Sequence, residues 1–343
     1  MVWLQMAYIT AAKDYRRILI GFTGGVATVF GLGAVLLAVG MSPVTAIMLS
    51  LFCGYGIMLV SFTRVLLSIF PVGTGSIFAF VEWIGTYPDL VITGFLSMAG
   101  AFVHIIVMWF SPLGEVVAGE FRYAPLHDSA AFFAYLVAIP TSINFVVSVE
   151  VNFYDRYKKY FSAITGGGTL AEIRLARDGM KKVLMQELFR LTQTQVFVMV
   201  VFTVLMRYAL EYLSFTRDMI SMFQVMSIGY SAYALGNSVM LLQLYFNDRR
   251  DALLTCLIYF SLNLIGTLYT LNKDPMFYGL GMTCAGIVMY LFGLLRLIRY
   301  IRSIDYHVFC GQPILAVHST TPLGKLAARL NARASAAEKS PVR

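Results

Sequence analysis

The side chains that could do chemistry in this chain stand inside long apolar runs. His104 and Asn144 interrupt two such runs, and residues 224–243 carry several hydroxyl and amide groups. At membrane depth such groups are costly unless they face another helix or a water-filled cavity. There they can hydrogen-bond sugars or water, and tyrosine rings offer a flat stacking surface. The candidates for lining a translocation path are therefore His104, Asn144, Gln224, Tyr230, Tyr233 and Asn237.

The same residues also have a purely structural interpretation. Single Ser, Thr, Asn and Gln residues in spanning helices often only hydrogen-bond one helix to the next. The polar residues of 224–243 are spread around their helix, so this helix should lie centrally, beside other helices or water. Both interpretations stay open at this stage.

No pattern in the sequence is typical of catalysis or of a cofactor. The four cysteines form no CxxC pair and no Cys/His cluster, so we expect no metal site. Gly166–Gly168 lack the Gly-Lys-Ser/Thr that completes a phosphate loop. Nucleophile constellations and paired carboxylates are also missing. We therefore expect a protein that is not an enzyme and has no catalytic, cofactor-binding or metal-binding residues.

The composition requires that most of the chain lies in lipid. Of 343 residues, 59% are hydrophobic and 13% charged. Soluble domains average about 45–50% apolar and about 25% charged residues. A soluble fold could not hide this much apolar surface. The composition excludes a soluble enzyme, a nucleic-acid-binding domain and a secreted disulfide scaffold.

Eight stretches are long and apolar enough to cross a bilayer, which predicts an all-α polytopic membrane protein. They are Ile18–Val39, Val44–Phe62, Leu90–Phe110, Ala131–Val151, Phe197–Leu213, Met219–Phe246, Ala252–Leu271 and Met276–Leu295. Residues 65–85 are apolar but contain Pro71, Gly73, Gly75 and Glu82. We interpret them as an interfacial or re-entrant connector, with a true span as the alternative.

The distribution of basic residues predicts an orientation. With the N-terminus in the cytoplasm, all but four of the 26 Lys and Arg residues fall in cytoplasmic segments. Arg122, Arg217 and Lys273 fall outside, and Arg207 lies within a span. This asymmetry follows the positive-inside rule and places both termini in the cytoplasm.

The cytoplasmic segment 152–192 contains a basic amphipathic helix. Thr169 and Glu172 have capping-box spacing, and apolar residues follow at helical intervals. One interpretation is a helix lying on anionic lipid headgroups, and the other is a docking site for a cytoplasmic partner. The candidate contacts on its basic side are Arg174, Arg177, Lys181 and Lys182.

A resemblance to a known family is carried by three stretches. They are VEVNFYDRYKKYFSAITGGGTLAEIRLARDGM (149–180), QVMSIGYSAYALGNSVMLLQLYFNDRRDAL (224–253) and YHVFCGQPI (306–314). They resemble the PelG family of Pel exopolysaccharide transporters, within the flippase-like superfamily of multidrug, oligosaccharide-lipid and polysaccharide exporters. The resemblance runs from near the N-terminus to about Ile314.

The resemblance implies a function and partners that the residues alone do not. It implies export of an N-acetylgalactosamine-rich polymer across the inner membrane of Gram-negative bacteria, for the biofilm matrix. The implied partners are the inner-membrane subunits PelD, which binds cyclic di-GMP, and PelE, with the cytosolic glycosyltransferase PelF. A membrane scaffold that assembles a polysaccharide synthase without forming the path is the alternative.

The family fold has two six-helix lobes around a central cavity, whereas this sequence has eight spans. We therefore expect four further spans to precede Met1 in a longer protein. On this registry, residues 1–62 are the last two helices of the N-terminal lobe and 63–89 the inter-lobe connector. Residues 90–314 are the six-helix C-terminal lobe, and 315–343 are a basic, disordered cytoplasmic tail.

Overall fold

The computed structural model describes residues 1–12, 14–70, 78–117, 119–310 and 322–338. These residues are almost entirely helical, and the one small sheet among them pairs β1 with β2 as an antiparallel hairpin. In chain order the elements are α1 (Val2–Ala11), α2 (Tyr15–Ala38), α3 (Pro43–Ile69), α4 (Ala79–Thr86), α5 (Pro88–Trp109), β1 (Glu115–Val117), β2 (Phe121–Tyr123), α6 (Pro125–Tyr135), α7 (Ile139–Val147), α8 (Tyr154–Thr165), α9 (Leu170–Tyr212), α10 (Arg217–Tyr245), α11 (Arg249–Thr270), α12 (Leu280–Arg302), α13 (Ile304–Cys310) and α14 (Pro322–Glu338).

Eight helical segments of the described chain are long and apolar enough to cross a membrane, which confirms the predicted all-α polytopic class. The fifth differs most from its predicted bounds. The span expected at 197–213 belongs to α9, a single helix of 43 residues. At about 1.5 Å per residue α9 is about 65 Å long, roughly twice the hydrocarbon thickness. The basic segment after Thr169 is therefore the first half of a spanning helix.

The fourth span, predicted at 131–151, is a continuous helical run from Pro125 to Thr165. A 3₁₀ turn, Leu136–Ala138, precedes α7 where Pro140 removes a backbone donor. A π-helical segment, Ser148–Phe153, joins α7 to α8. Ser148 and Asn152, one helical turn apart, both donate to the Glu187 carboxylate on α9, at 2.5 and 3.1 Å.

The predicted connector between the second and third spans is only partly described. Helix α3 continues to Ile69, α4 carries Glu82 in its first turn, and α5 begins at Pro88. Pro71, Gly73 and Gly75 lie outside the described residues. The interfacial connector at 63–89 stays a prediction.

The described chain divides into two compact units, of which the first comprises Met1–Ala79 and the end of α14 from Leu330. Within it α2 and α3 pack closely through glycine. A Cβ added to Gly25 would lie 2.4 Å from Met58 Cγ, and one added to Gly54 would lie 2.3 Å from Val29 Cγ2. Gly24 and Gly31 face open space instead. The glycine-rich first span is thus partly used for close helix packing.

The second unit, Phe80–Arg329, is organised around α10. This helix packs against α6, α9, α11 and α12, and α11 packs in turn against α5 and α12. In α10, 67% of the most apolar window is buried, against 17–44% in the other seven candidate spans. The polar composition of the sixth span therefore predicted its central place correctly.

The C-terminal tail contains a helix that the sequence analysis did not predict. Residues 315–343 were expected to be disordered, yet Pro322–Glu338 form α14. Its Ala, Leu and Arg residues have high helix propensity, which outweighs the content of Ser, Pro and charged residues on which the prediction rested. The other tail residues lie outside the described chain.

Candidate functional site

The buried serines of α10 satisfy their hydrogen bonds within their own helix. The hydroxyls of Ser227, Ser231 and Ser238 each donate to the carbonyl four residues earlier, at 2.7–2.8 Å. Gln243 instead joins helices, because its amide donates to Gly293 O at 3.1 Å and accepts from Thr255 at 3.2 Å. These four residues have the structural role that was the plainer alternative.

Tyr230 belongs to a different kind of contact, a buried polar network across helices. Its hydroxyl lies 3.0 Å from Nε2 of His104, which is 0% exposed on α5. On the other side of the imidazole, Nδ1 lies 3.5 Å from the amide nitrogen of Asn263 on α11. Since an amide N–H can only donate, Nδ1 accepts and Nε2 carries the proton that His104 donates to Tyr230.

Asn263 is fixed in this orientation by two further hydrogen bonds. Its Nδ2 donates to Gly100 O on α5 at 2.9 Å, and its Oδ1 accepts from Thr267 at 3.1 Å. Asn263 is 0% exposed, and an amide flip would set its Oδ1 against the Gly100 carbonyl oxygen, two buried acceptors facing each other. The network therefore joins α5, α10 and α11 in one defined arrangement.

A second histidine, which the sequence analysis missed, completes the cluster. His127 on α6 is 0% exposed, and its ring meets that of His104 edge to face, with centroids 5.5 Å apart. Its Nδ1 lies 3.4 Å from Oδ1 of Asp128. The predicted fourth span began at Ala131, which left these two residues outside it; Pro125 at the first helical position was the signal for an earlier start.

The predicted α10 residues do not share one face. Successive residues of a helix are rotated by about 100°, so Tyr230, Tyr233 and Asn237 fall within an arc of about 60°. Gln224 lies about 120° or more from each of them. The Tyr233 ring stacks on Tyr259 of α11, with centroids 5.0 Å apart.

Three predicted path residues are half-buried and have no hydrogen-bonded side chain among the described residues. They are Asn144 on α7, Gln224 and Asn237. Asn237 is the one that shares an arc with Tyr230 and Tyr233. The six candidates therefore fall into three pairs. His104 and Tyr230 are hydrogen-bonded to each other, and Tyr233 and Asn237 lie on the same side of α10 as Tyr230. Asn144 and Gln224 are apart from these four.

The amphipathic half of α9 buries its apolar side inside the protein rather than against lipid. Met180, Leu184 and Leu188 are in one buried cluster with Phe153, Tyr160 of α8, Leu242 of α10, and Leu297 and Ile301 of α12. Since its apolar face is already covered, this half of α9 is not a helix lying flat on headgroups. The open question concerns its basic side.

That basic side is divided between internal and exposed charges. Arg177 makes ion pairs with Asp178, at 2.8 Å, and with Asp305 of α13. Lys181 donates to Arg302 O at 3.4 Å. Burial alone would raise the pKa of Asp305, but the hydrogen bonds from Arg177 and Tyr160 hold that pKa below its ordinary value. Arg174 and Lys182 are exposed and have no ion-pair partner in the described parts of the chain.

The cytoplasmic-side charges predicted near 249–251 form a second cluster. Asp251 on α11, with a side chain 10% exposed, makes a two-pronged ion pair with Arg296 of α12. Arg249 pairs with Asp89 at the start of α5, at 3.5 Å. Asp248 has one buried, unpartnered oxygen, and burial followed by repulsion from Asp251 raises its pKa to about 6.

No group of three or more His, Cys, Asp or Glu residues in the described chain is arranged to hold a metal ion.

Comparison with known families shows where this architecture belongs. A family model described as "PelG: Putative exopolysaccharide Exporter (EPS-E)" matches residues 1–309. The chain belongs to the PelG family. No curated protein and no solved structure matches it.

Membership of the PelG family gives the coarse function of this multi-pass membrane protein. It implies a role in exopolysaccharide export, and the family is of the transporter type rather than an enzyme family. Polysaccharide and membrane lipid are the interactors that this role suggests. The buried cluster and the half-buried face of α10 are then the residues to test in export.

Proposed function

We propose that this PelG-family chain exports the Pel exopolysaccharide, rich in N-acetylgalactosamine, across the bacterial inner membrane for the biofilm matrix. The observation that carries the proposal is the polar, half-buried face of the most buried spanning helix in a family of exporters. Asn237 has an unengaged amide there and Tyr233 an aromatic ring, the groups that recognise a hydrated sugar chain.

In this proposal Tyr230, Tyr233 and Asn237 contact the polymer or the water that solvates it, and His104 holds Tyr230 in place. Asn144 on α7 remains a candidate for the path, whereas Gln224, on another face of α10, is not placed in the path by this proposal. The termini and the 152–192 segment lie in the cytoplasm, in line with the distribution of Lys and Arg. PelD, PelE and PelF are the proposed partners.

The export assay compares matched leucine variants of α10 in a strain that lacks its own exporter. Tyr233→Leu combined with Asn237→Leu should lower exported polymer at least tenfold at equal protein level, since both remove polar contacts from the proposed path. Gln224→Leu, on another face of the same helix, is the matched control and should export nearly normally. Equal export by both variants would contradict the placement of the path.

A scaffold function has one specific observation in its favour. Arg174 and Lys182 are exposed on a helix that extends beyond the hydrocarbon layer, where a cytosolic synthase could dock. The two functions separate experimentally. If the protein is only a scaffold, every variant that loses export should also lose capture of the partner. If it forms the path, the Tyr233→Leu/Asn237→Leu variant should lose export while it still captures the partner.

A further inference from the structure

We propose that His127 is a proton-binding site inside the spanning bundle, with Asp128 as its counter-ion and His104 as the neutral neighbour that senses its charge. The juxtaposition lies where α5 ends and α6 begins, against α10 and α11. The existence of the site does not depend on the proposed function, but its link to export rests on it.

The first observation is an unused acceptor. His127 is 0% exposed, and its Nε2 is buried with no hydrogen-bond partner among the described residues. When Nδ1–H faces Asp128, Nε2 carries a bare lone pair. A buried polar atom left unpaired typically costs about 1–3 kcal/mol, so such atoms are rare and call for an explanation. A basic nitrogen in this position is available to a proton.

The second observation is the arrangement of the Asp128 carboxylate. Its Oδ2 accepts two hydrogen bonds, from Trp109 Nε1 at 2.8 Å and from Ala124 N at 3.0 Å. Its Oδ1 is left facing His127. The Asp128 side chain is 27% exposed, whereas that of His127 is wholly buried. The carboxylate is therefore fixed beside the imidazole, at the edge of the buried cluster.

The charge balance favours protonation of His127 rather than of His104. With neutral His127 the pair carries one negative charge; when Nε2 binds a proton from solvent, an N–H bond forms and the pair becomes neutral. A paired charge in a membrane bundle is far less costly than an unpaired one. His104 has no such site, because its Nδ1 faces the fixed amide of Asn263 and its Nε2 already donates to Tyr230.

The other groups around the two rings cannot supply an opposite charge. Besides Asp128 and each other, the rings contact the Tyr230 phenol of α10 and the Asn263 amide of α11. Tyr230 in turn packs against the Tyr135 ring of α6. Arg122 of β2 is exposed and lies over the Phe110 ring at the end of α5. Asp128 is thus the counter-ion among the described neighbours.

Protonation of His127 changes the contact that holds α6 against α5. The new Nε2–H is a donor, and the positive charge stands 5.5 Å from the His104 ring centroid. Because His104 also donates a hydrogen bond to Tyr230, the positive charge on His127 affects the contact between α5 and α10 through His104. Proton binding at His127 therefore bears on the contacts of α10, the helix that carries the proposed path.

The experiment is a titration of histidine by ¹⁵N NMR, with the full chain in lipid nanodiscs. The chain has only four histidines, so His127→Gln and His104→Gln assign the two signals. We expect the His127 signal to change from that of a singly to that of a doubly protonated ring on acidification, while the His104 signal keeps that of a singly protonated ring. A His127 signal that remains neutral to pH 5 would overturn the proposal, whether or not any variant folds.

Asp128→Asn tests the counter-ion. It should move the His127 midpoint down by about one pH unit or more, a tenfold loss of proton affinity. Asp218→Asn, at an exposed position on α10, is the control and should leave the midpoint unchanged. If the His127 titration midpoint were the same in the unsubstituted chain, in Asp128→Asn and in Asp218→Asn, Asp128 would not be the counter-ion.

The link to export has its own readout. His127→Gln should lower exported polymer several-fold at equal protein level, and normal export by this variant would refute the link. If His127 does not titrate but the Tyr233/Asn237 variant still loses export, the proton site fails while the proposed export function stands.

Discussion

The two ends of the α5–α12 bundle hold ionisable groups in different ways. Where α5 and α11 begin, charges are fixed in ion pairs: Arg249 with Asp89, and Asp251 with Arg296. Where α5 ends and α6 begins, His104 is neutral and His127 has an unengaged nitrogen. The ion pairs resist a change of charge and tie helices together, whereas the unengaged nitrogen of His127 allows one. A transporter needs both, a fixed closure and a region that can rearrange.

Removing one partner from the fixed end should have the largest effect on stability. Arg296→Met keeps the apolar stem but leaves the Asp251 carboxylate, 10% exposed, without its partner. Unpaired buried charges cost roughly 3–5 kcal/mol, and the partial exposure of Arg296 places our expectation near the lower end. The free energy of unfolding of the purified chain measures it.

Arg207→Met supplies the matched control for that prediction. Arg207 pairs with Glu211 at 3.3 Å, but both side chains are about half exposed. Exposed pairs are worth at most about 1 kcal/mol. If Arg296→Met and Arg207→Met lowered the free energy of unfolding by similar amounts, the Asp251–Arg296 pair would stabilise the protein no more than an exposed pair does.

At the other end, Tyr230→Phe should have an intermediate effect. It removes the hydroxyl that receives the His104 proton and leaves a buried N–H unpaired, a cost of about 1–2 kcal/mol. Tyr208→Phe, at an exposed site on α9, is the control and should change nothing. We expect both the free energy of unfolding and the amount of exported polymer to fall in the Tyr230 variant, and neither to fall in the control. If Tyr230→Phe changed neither quantity, the proposed hydrogen-bond network would be contradicted.

The basic side of α9 should divide in the same manner into fixed and available charges. Arg174→Glu with Lys182→Glu should weaken capture of the cytosolic glycosyltransferase several-fold, more at low salt than at high salt, because exposed charges are screened. Arg177→Glu should instead lower stability, since Asp305 would lose its ion pair. Pull-down at two ionic strengths and a melting curve distinguish these outcomes, and unaltered capture by the double variant would exclude a docking role for this side.

The last expected effect is a pH dependence of stability from Asp248, whose pKa is about 6 in the folded chain. This pKa lies above the value of about 3.9 for an unfolded aspartate, so the folded state binds more protons between those values. The free energy of unfolding should therefore fall as pH rises from about 4 to 6 and then level off. Asp248→Asn keeps an acceptor for the α11 N-cap and should flatten that slope. A slope that persists in this variant would assign it to another group.

The sequence predicted most of the helices because a membrane span needs a long apolar run and little else. It placed α10 centrally, since Ser227, Tyr230 and Gln243 could not all face lipid. It could not place α9, because a helix that leaves the bilayer shows no apolar run in its outer half; only Thr169 and Glu172 marked its true start, and their capping box is present.

The candidate site was predicted only in part, for a geometric reason. His104 and Tyr230 were identified as costly polar groups in apolar runs, but their contact spans 126 positions of the chain. His127 and Asp128 stand beside each other at a helix start, where they resemble ordinary residues of an outer loop. Asn263, whose amide determines which nitrogen of His104 carries the proton, could be recognised only once α5 and α11 were known to pack together.

The central claim is that polymer passes along the α10 face that carries Tyr230, Tyr233 and Asn237. Site-specific photo-cross-linking in exporting cells tests it, with a benzophenone side chain at position 237 and, as control, at position 269, where Tyr269 is 67% exposed on α11. We predict that exopolysaccharide becomes attached at 237 and not at 269, and only when the synthase is active. Equal attachment at both positions, or none at 237 during active export, would contradict the path.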